Sequence, residues 1–210
     1  MSTVIHLLRH GSHGDFGSIL TGRNPGAPLT PAGQEEARAV GRHLADANLD
    51  ALYTSPQLRA YQTAQIISAE TGTESTIADE LDEIDFGRWC GRTFDDLASD
   101  PLWREWNEQR DFAATPAGET MRDVAARLVG FIERIRREFH GGSIALVSHA
   151  DVIKAGICHY LGASFQEVHT IEIRPASLTT IAVGAQGGKL LSSNQVFSSE
   201  QVPVKTGVSA

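Results

Sequence analysis

Three times in this chain a short apolar run ends in a polar turn and gives way to a helical pattern, and that order leaves few folds open. Val4 to Leu8 runs into Arg9-His10-Gly11, Ala51 to Thr54 into Ser55-Pro56, and Ser143 to Val147 into Ser148-His149. Short apolar runs bounded by turn signals read as buried strands. Strands that alternate with helices build an α/β sheet, and the polar turns at the ends of such strands share one crevice.

The helices between these strands carry recognisable ends. Thr30-Pro31 has the form of an N-cap followed by proline at the first helical position, with Glu35 and Glu36 near the positive end of the dipole. Ala37, Val40, Leu44 and Ala47 then recur at helical spacing. Ser55-Pro56 repeats the start for a helix to about Thr71, closed by Gly72, which puts Arg59 in its first turn. A third helix, Thr120 to Phe139, is marked by Val124, Leu128, Phe131, Ile132 and Ile135, and a fourth runs from Asp151 to Leu161. Val168 to Ile173, Leu178 to Val183 and Lys189 to Gln195 read as closing strands, with Gly187-Gly188 as a hairpin signal. Residues 11–28 form a long loop, and residues 79–119, with an acidic cluster and all three tryptophans, form a partly irregular cap.

With 210 residues the expectation is one domain over 1–198 and a tail over 199–210. A net charge of −8 argues against nucleic acid as a partner. Two distant cysteines, Cys90 and Cys158, suggest neither a disulfide framework nor a zinc site and point to a reducing compartment. No basic leader precedes the first strand and no apolar stretch nears the roughly 20 residues that cross a bilayer. The expected setting is cytoplasmic, with no membrane partner.

The chemistry sits in the turns. Arg9, His10, Arg59 and His149 combine two fixed positive charges with two imidazoles, which is the inventory of a phosphate site. Guanidinium forks match phosphate oxygens bidentately, and a neutral imidazole nitrogen is a competent nucleophile. His6, His10 and His13 do not make a metal site on spacing, since His6 lies inside a strand and no carboxylate accompanies them.

Leu8-Arg9-His10-Gly11, with Pro28-Leu29-Thr30 and Gly33, resembles the histidine phosphatase superfamily, which includes the cofactor-dependent phosphoglycerate mutases. The likeness continues in order through Tyr53-Thr54-Ser55-Pro56 with Arg59 and Thr63-Ala64, then Glu83-Ile84-Asp85-Phe86-Gly87-Arg88-Trp89, then Val147-Ser148-His149. It implies a three-layer α/β/α sandwich with a mostly parallel central sheet, phosphoglycerate mutase-like. It further implies that His10 attacks phosphorus, that Glu83 protonates the leaving oxygen, and that Arg9, Arg59 and a protonated His149 hold the phosphoryl oxygens. No cofactor and no metal are implied, and the partner is a small phosphorylated substrate.

Read from the residues alone, Asp79, Glu80, Asp82 and Asp85 are alternative acids to Glu83, and Asp82 and Asp85, or burial, are the means of raising its pKa. Thr21 and Gly22 resemble the loop segment that meets the phosphate, Arg23 adds recognition of an anionic substrate, and Ala150 offers a backbone amide. His13 and Phe16 stand where relatives often carry Thr and Asn, and Ala150 and Asp151 where they often carry glycine; for Asp151 helix capping is the expected role. Trp89, Trp103 and Trp106 are expected to pack rather than to stack on substrate. The same machinery serves a phosphatase, a mutase or a non-catalytic phospholigand binder, and Phe86-Gly87-Arg88-Trp89 after the acid looks like the phosphatase branch. Homodimerisation is compatible with the sequence, though no pattern in it points that way.

Overall fold

The computed structural model describes residues 2–15 and 17–198; Met1, Phe16 and the segment 199–210 expected to be a tail lie outside them. Strands β1 (Thr3–Arg9), β2 (Ala51–Thr54), β3 (Ser75–Ile77), β4 (Ser143–Ser148), β5 (Leu178–Gly184) and β6 (Gly187–Gln195) form a sheet in the order β3-β2-β4-β1-β5-β6. The first four strands of that order run parallel, while β5 is antiparallel to β1 and β6 to β5.

Helices α1 (Pro31–Ala45) and α2 (Leu58–Thr71) cover one face, and α5 (Met121–Glu138) and α6 (Ala150–Leu161) the other. The two-residue period of the central strands requires both layers. Ile5 and Leu7 of β1 and Ile144 and Leu146 of β4 pack with Leu128, Ile132, Val152 and Ile153. Leu8, Ala145 and Val147 pack on the opposite side with Val40, Leu44, Ala60 and Ile67. Strands buried on both faces read as near-continuous apolar runs, which is what the sequence carries at β4 and, interrupted by His6, at β1.

The cap consists of 3₁₀ turns at Asp79–Leu81 and Gly87–Trp89 followed by α3 (Phe94–Ala98) and α4 (Pro101–Glu108). Trp89 and Trp106 are fully buried in the core cluster that also holds Leu81, Ile84 and Leu97, and Trp103 meets Trp89 edge to face, so these rings serve packing. No helix among the described residues is long and apolar enough to cross a membrane.

Four details differ from the expectation. Residues 168–173 are not a strand: Phe165–His169 is a 3₁₀ turn closed by a Ser164–Glu167 capping box, and Pro175, without an N–H, follows. Helix α2 starts at Leu58 rather than after Ser55, because the Ser55 hydroxyl is taken by the Gln57 amide and by His149. Glu35 and Glu36 fall beyond the first turn of α1, where Glu36 accepts instead from the Ser12 amide (2.8 Å) and hydroxyl (2.9 Å). The edge strand β3 spans only three half-exposed or exposed residues, too few for alternation to register in the sequence.

Candidate active site

Parallel pairing of β1 with β4 sets Arg9 beside Ser148, and the His10 amide donates to the Ser148 carbonyl at 3.0 Å. The residues that follow each strand, His10 and His149, therefore face one another, with ring centroids 5.2 Å apart. Gly11 and Gly33 let the loop after β1 cross the start of α1. A Cβ on Gly11 would lie 2.5 Å from the Gly33 carbonyl oxygen, and one on Gly33 would lie 2.0 Å from the Ser12 carbonyl oxygen. Only glycine at both positions permits that approach.

Arg59, on the first turn of α2, enters between the imidazoles and is 2% exposed. Its Nε donates to His10 Nε2 at 3.1 Å, and its Nη2 reaches the Gly22 carbonyl at 2.8 Å and His149 Nδ1 at 3.1 Å. Its Nη1 is buried with no hydrogen-bond partner. An unmet guanidinium N–H inside a protein is costly, and here it marks a place for an anionic acceptor.

His10, 3% exposed, donates from Nδ1 to its neighbour's carbonyl, Gly11 O, at 2.8 Å, which leaves the Nε2 lone pair facing Arg59. Burial, then the charges of Arg59 and Arg9, hold its pKa well below the ordinary histidine value. The ring is thus neutral with Nε2 as its basic atom. His149 shares this fate: burial first and Arg59 second push its pKa down. Its Nε2 meets Ser55 Oγ at 2.8 Å and its Nδ1 accepts from Arg59. The protonated His149 expected from sequence is corrected to a neutral ring, since a third positive charge would be buried beside two guanidinium groups.

The opposing wall is acidic. Glu83, its side chain 12% exposed, places Oε2 3.6 Å from His149 Nδ1. Burial, then the charge of Asp151, raises its pKa to about 7 against the pull of Arg59. The neighbours expected to do this, Asp82 and Asp85, are replaced in that role by Asp151. Asp82 instead accepts from Ser55 Oγ (3.3 Å), Gln57 Nε2 (2.8 Å) and the Glu83 amide (2.8 Å), tying the acid's backbone to the His149 support. Asp151 does not cap α6, whose N-cap is His149; it sits in the first turn, 4.0 Å from Arg110 Nη1.

A cavity of about 220 Å³ is lined by Arg9, His10, Arg59, Glu83 and Asp151, with Thr21, Gly22 and Ala150 also on its surface. Ala150 opens α6, a helix end without a side-chain cap, which favours an anion. Arg9 anchors to the Ile173 carbonyl at 2.6 Å. Arg23 is absent from the described lining; its guanidinium lies among Asp82 (3.2 Å), Asp85 (3.6 Å) and Glu119 (3.4 Å), and its Nε donates to the Glu83 carbonyl. Its charge faces the acid wall, and it lies outside the cavity where a contact with an anionic substrate was expected. The remaining loop histidine, His13, lies with its ring tilted at 53° and 5.2 Å from that of His10, and is held neutral by burial, with a pKa of about 4.

Sequence reasoning missed two supports. Thr63 accepts from the Gly11 amide at 3.1 Å and donates to the Arg59 carbonyl at 2.7 Å, joining the two catalytic segments. Its signal was the Thr63-Ala64 pair one turn beyond Arg59. Arg110, buried under Trp106 and paired with Asp151, carries no local signal at all.

The model of the histidine phosphatase superfamily (branch 1) matches residues 5–196. Phosphoserine phosphatase 1 of Hydrogenobacter thermophilus is 27% identical over 168 residues, 79% of this chain and 80% of its own length. A 2,3-bisphosphoglycerate-dependent phosphoglycerate mutase of Methylobacterium sp. (strain 4-46) is 31% identical over 187 residues, 82% of this chain and 88% of its own. The solved structure of a histidine-to-alanine mutant of the phosphoserine phosphatase of Entamoeba histolytica in complex with phosphoserine superposes with a TM-score of 0.83 at 26% identity, covering 92% of this chain and 97% of that one. With the family model spanning the sheet, both histidine turns and the acid wall, the chain belongs to branch 1 of the histidine phosphatase superfamily and is a phosphatase-type enzyme of it.

Proposed function

We propose that the chain hydrolyses small phosphomonoesters through a phosphohistidine on His10. The observation that carries this reading is the pairing of the neutral His10 Nε2 with the unmet Nη1 of Arg59 in one small cavity. A phosphoryl group bound there accepts from Arg59, Arg9 and the first turn of α6, and sets phosphorus against Nε2. Nε2 attacks, the P–N bond forms as the ester P–O bond breaks, and protonated Glu83 gives its proton to the departing oxygen. Water then attacks phosphorus, Glu83 takes up the water's proton, the P–N bond breaks and inorganic phosphate leaves. His149 keeps Arg59 aimed through its Nδ1 while Ser55 holds its other nitrogen.

Both guanidinium groups stabilise the charge spread over the transferring oxygens, so the steps as written use only this chain's groups. Activity is expected to persist in a chelator. Phosphoserine and 3-phosphoglycerate are the first substrates to try, given the relatives, and the two unpaired cysteines fit a reducing compartment. Rapid acid-free quenching of labelled substrate should trap an alkali-stable, acid-labile phosphoryl adduct that disappears in His10→Ala. Phosphate release with full rate in that variant would overturn the reading. The kinship with a mutase supports one rival, retention of the phosphoryl group for return to substrate. Isomerisation of 3-phosphoglycerate without phosphate release would establish it instead.

A further inference from the structure

The reaction cavity has room for a phosphoryl group and a short carbon chain, so a substrate larger than a three-carbon phosphate extends beyond it. Its roughly 220 Å³ lies below the ~300–1,000 Å³ of ordinary ligand sites. A phosphoryl group bound at Arg59 leaves the rest of the substrate to extend outward, and most of the remaining rim is apolar (Ile19, Leu20, Phe86, Phe94) or carries the anion Asp151. On the β5 side, however, a second cavity of about 700 Å³ adjoins the first, and Arg9 and Ala150 form walls of both.

We propose that this second cavity is a subsite for an anionic group that the substrate carries at the end remote from the scissile ester, a carboxylate in the simplest case. The proposal rests on the hydrolytic reading above. Lys154 stands one helical turn beyond Ala150 on the same side of α6, so it continues the wall that begins at the phosphate site. Arg174, exposed like Glu172, also lines the cavity, and its backbone amide is fixed by the Asn194 side chain at 2.7 Å. Among the described residues neither Lys154 nor Arg174 makes an ion pair. Two carboxylates also line the space. Glu36 has both oxygens engaged by Ser12, and Glu172 is exposed. His169 uses its Nε2 on the Asn107 carbonyl.

Arg9 already serves the phosphate site, so the cavity's own charges are Lys154 and Arg174 against Glu36 and Glu172, a balanced set in a chain whose net charge is −8. Glu36 has both oxygens taken by Ser12, which leaves Lys154 and Arg174 to meet a second anion while Arg59 and Arg9 meet the first, so a substrate with charge at both ends is favoured. The segment before β5 has a purpose on this view: its Ile173 carbonyl aims Arg9 while its next residue supplies the distal cation.

Two matched substrate pairs test this, each differing only in a terminal CH2OH against a carboxylate: glycerol 3-phosphate against 3-phosphoglycerate, and sorbitol 6-phosphate against 6-phosphogluconate. Phosphate release by the unaltered chain should favour the carboxylate member of at least one pair by about tenfold in kcat/KM. The Lys154→Ala/Arg174→Ala variant should erase that preference through KM, while glycerol 3-phosphate and p-nitrophenyl phosphate change by less than about twofold. Absence of a preference in both pairs, or a preference that survives the double substitution, overturns the subsite alone. Failure of the unaltered chain to hydrolyse p-nitrophenyl phosphate instead overturns the hydrolytic reading, and the subsite falls with it.

Discussion

The floor and the acid wall of the reaction cavity are both largely sheltered from water, yet burial moves their protons in opposite directions. On the floor it strips His10 and His149 of positive charge, with Arg59 and Arg9 acting in the same sense. On the wall it keeps a proton on Glu83, with Asp151 acting in that sense and Arg59 against it. Low dielectric disfavours whichever form is charged, so one environment makes a neutral imidazole whose Nε2 lone pair accepts from Arg59 and an acid with a proton to give. The two regions also differ in how they are held. Strand ends and a helix start fix His10, His149 and Arg59, whereas Glu83 sits on an irregular segment fastened by the hydrogen bonds of Asp82 and the ion pairs of Arg23.

Removing the proposed nucleophile breaks the comparison outright. His10→Ala should cost on the order of 10⁴-fold or more in kcat, measured as phosphate release, because no other side chain takes over a covalent step. Next in size is Glu83→Gln, expected to lose roughly 10²–10⁴-fold with an alkyl phosphate. With p-nitrophenyl phosphate, whose leaving group needs little protonation, the loss should be much smaller. Equal losses on both substrates would assign Glu83 to structure and return the acid role to a neighbour.

Arg59→Lys keeps the charge and removes the fork that touches both imidazoles. A loss of roughly 10²–10³-fold is expected, since one cation cannot replace donors to His10, Gly22 and His149 together with the waiting Nη1. Near-normal turnover would mean that the floor works as bulk positive charge and that its geometry is incidental.

The floor was far more legible in the sequence than the wall. Arg9, His10, Arg59 and His149 stand at fixed offsets from apolar strands, so periodicity located them and the strand order brought them together. Gly11 and Gly33 were visible as motif letters, but their reason, a backbone crossing with no room for a Cβ, exists only in three dimensions. The wall depends on contacts between segments remote in sequence. Ser55 looked like a helix cap and proved to hold His149; Arg23 looked like a substrate ligand and proved to be engaged by Asp82, Asp85 and Glu119. The run 168–173 has a strand's apolar content, but capping at Ser164 and the proline at 175 bend it into the turn that anchors Arg9. Propensity could not foresee that tertiary use.

The finest test of the contrast is Asp151→Asn, which leaves shape intact and removes one charge from the wall. Asp151 raises the Glu83 pKa, so its neutralisation should lower that pKa from about 7. Arg110, 4.0 Å away and no longer compensated, acts in the same direction. A general acid works in its protonated form, so the alkaline limb of kcat/KM should move to lower pH, with rates near pH 5 almost unchanged and those near pH 8 down a few-fold. The substrate's own ionisation near pH 6 affects both proteins alike and cancels in their ratio. The acidic limb, set by His10 well below its ordinary range, should stay where it is, because Asp151 is not among the charges that depress that ring. An unmoved alkaline limb would show that Arg110 already neutralises Asp151, and a limb displaced to higher pH would mean that the group titrating there is not an acid beside Asp151.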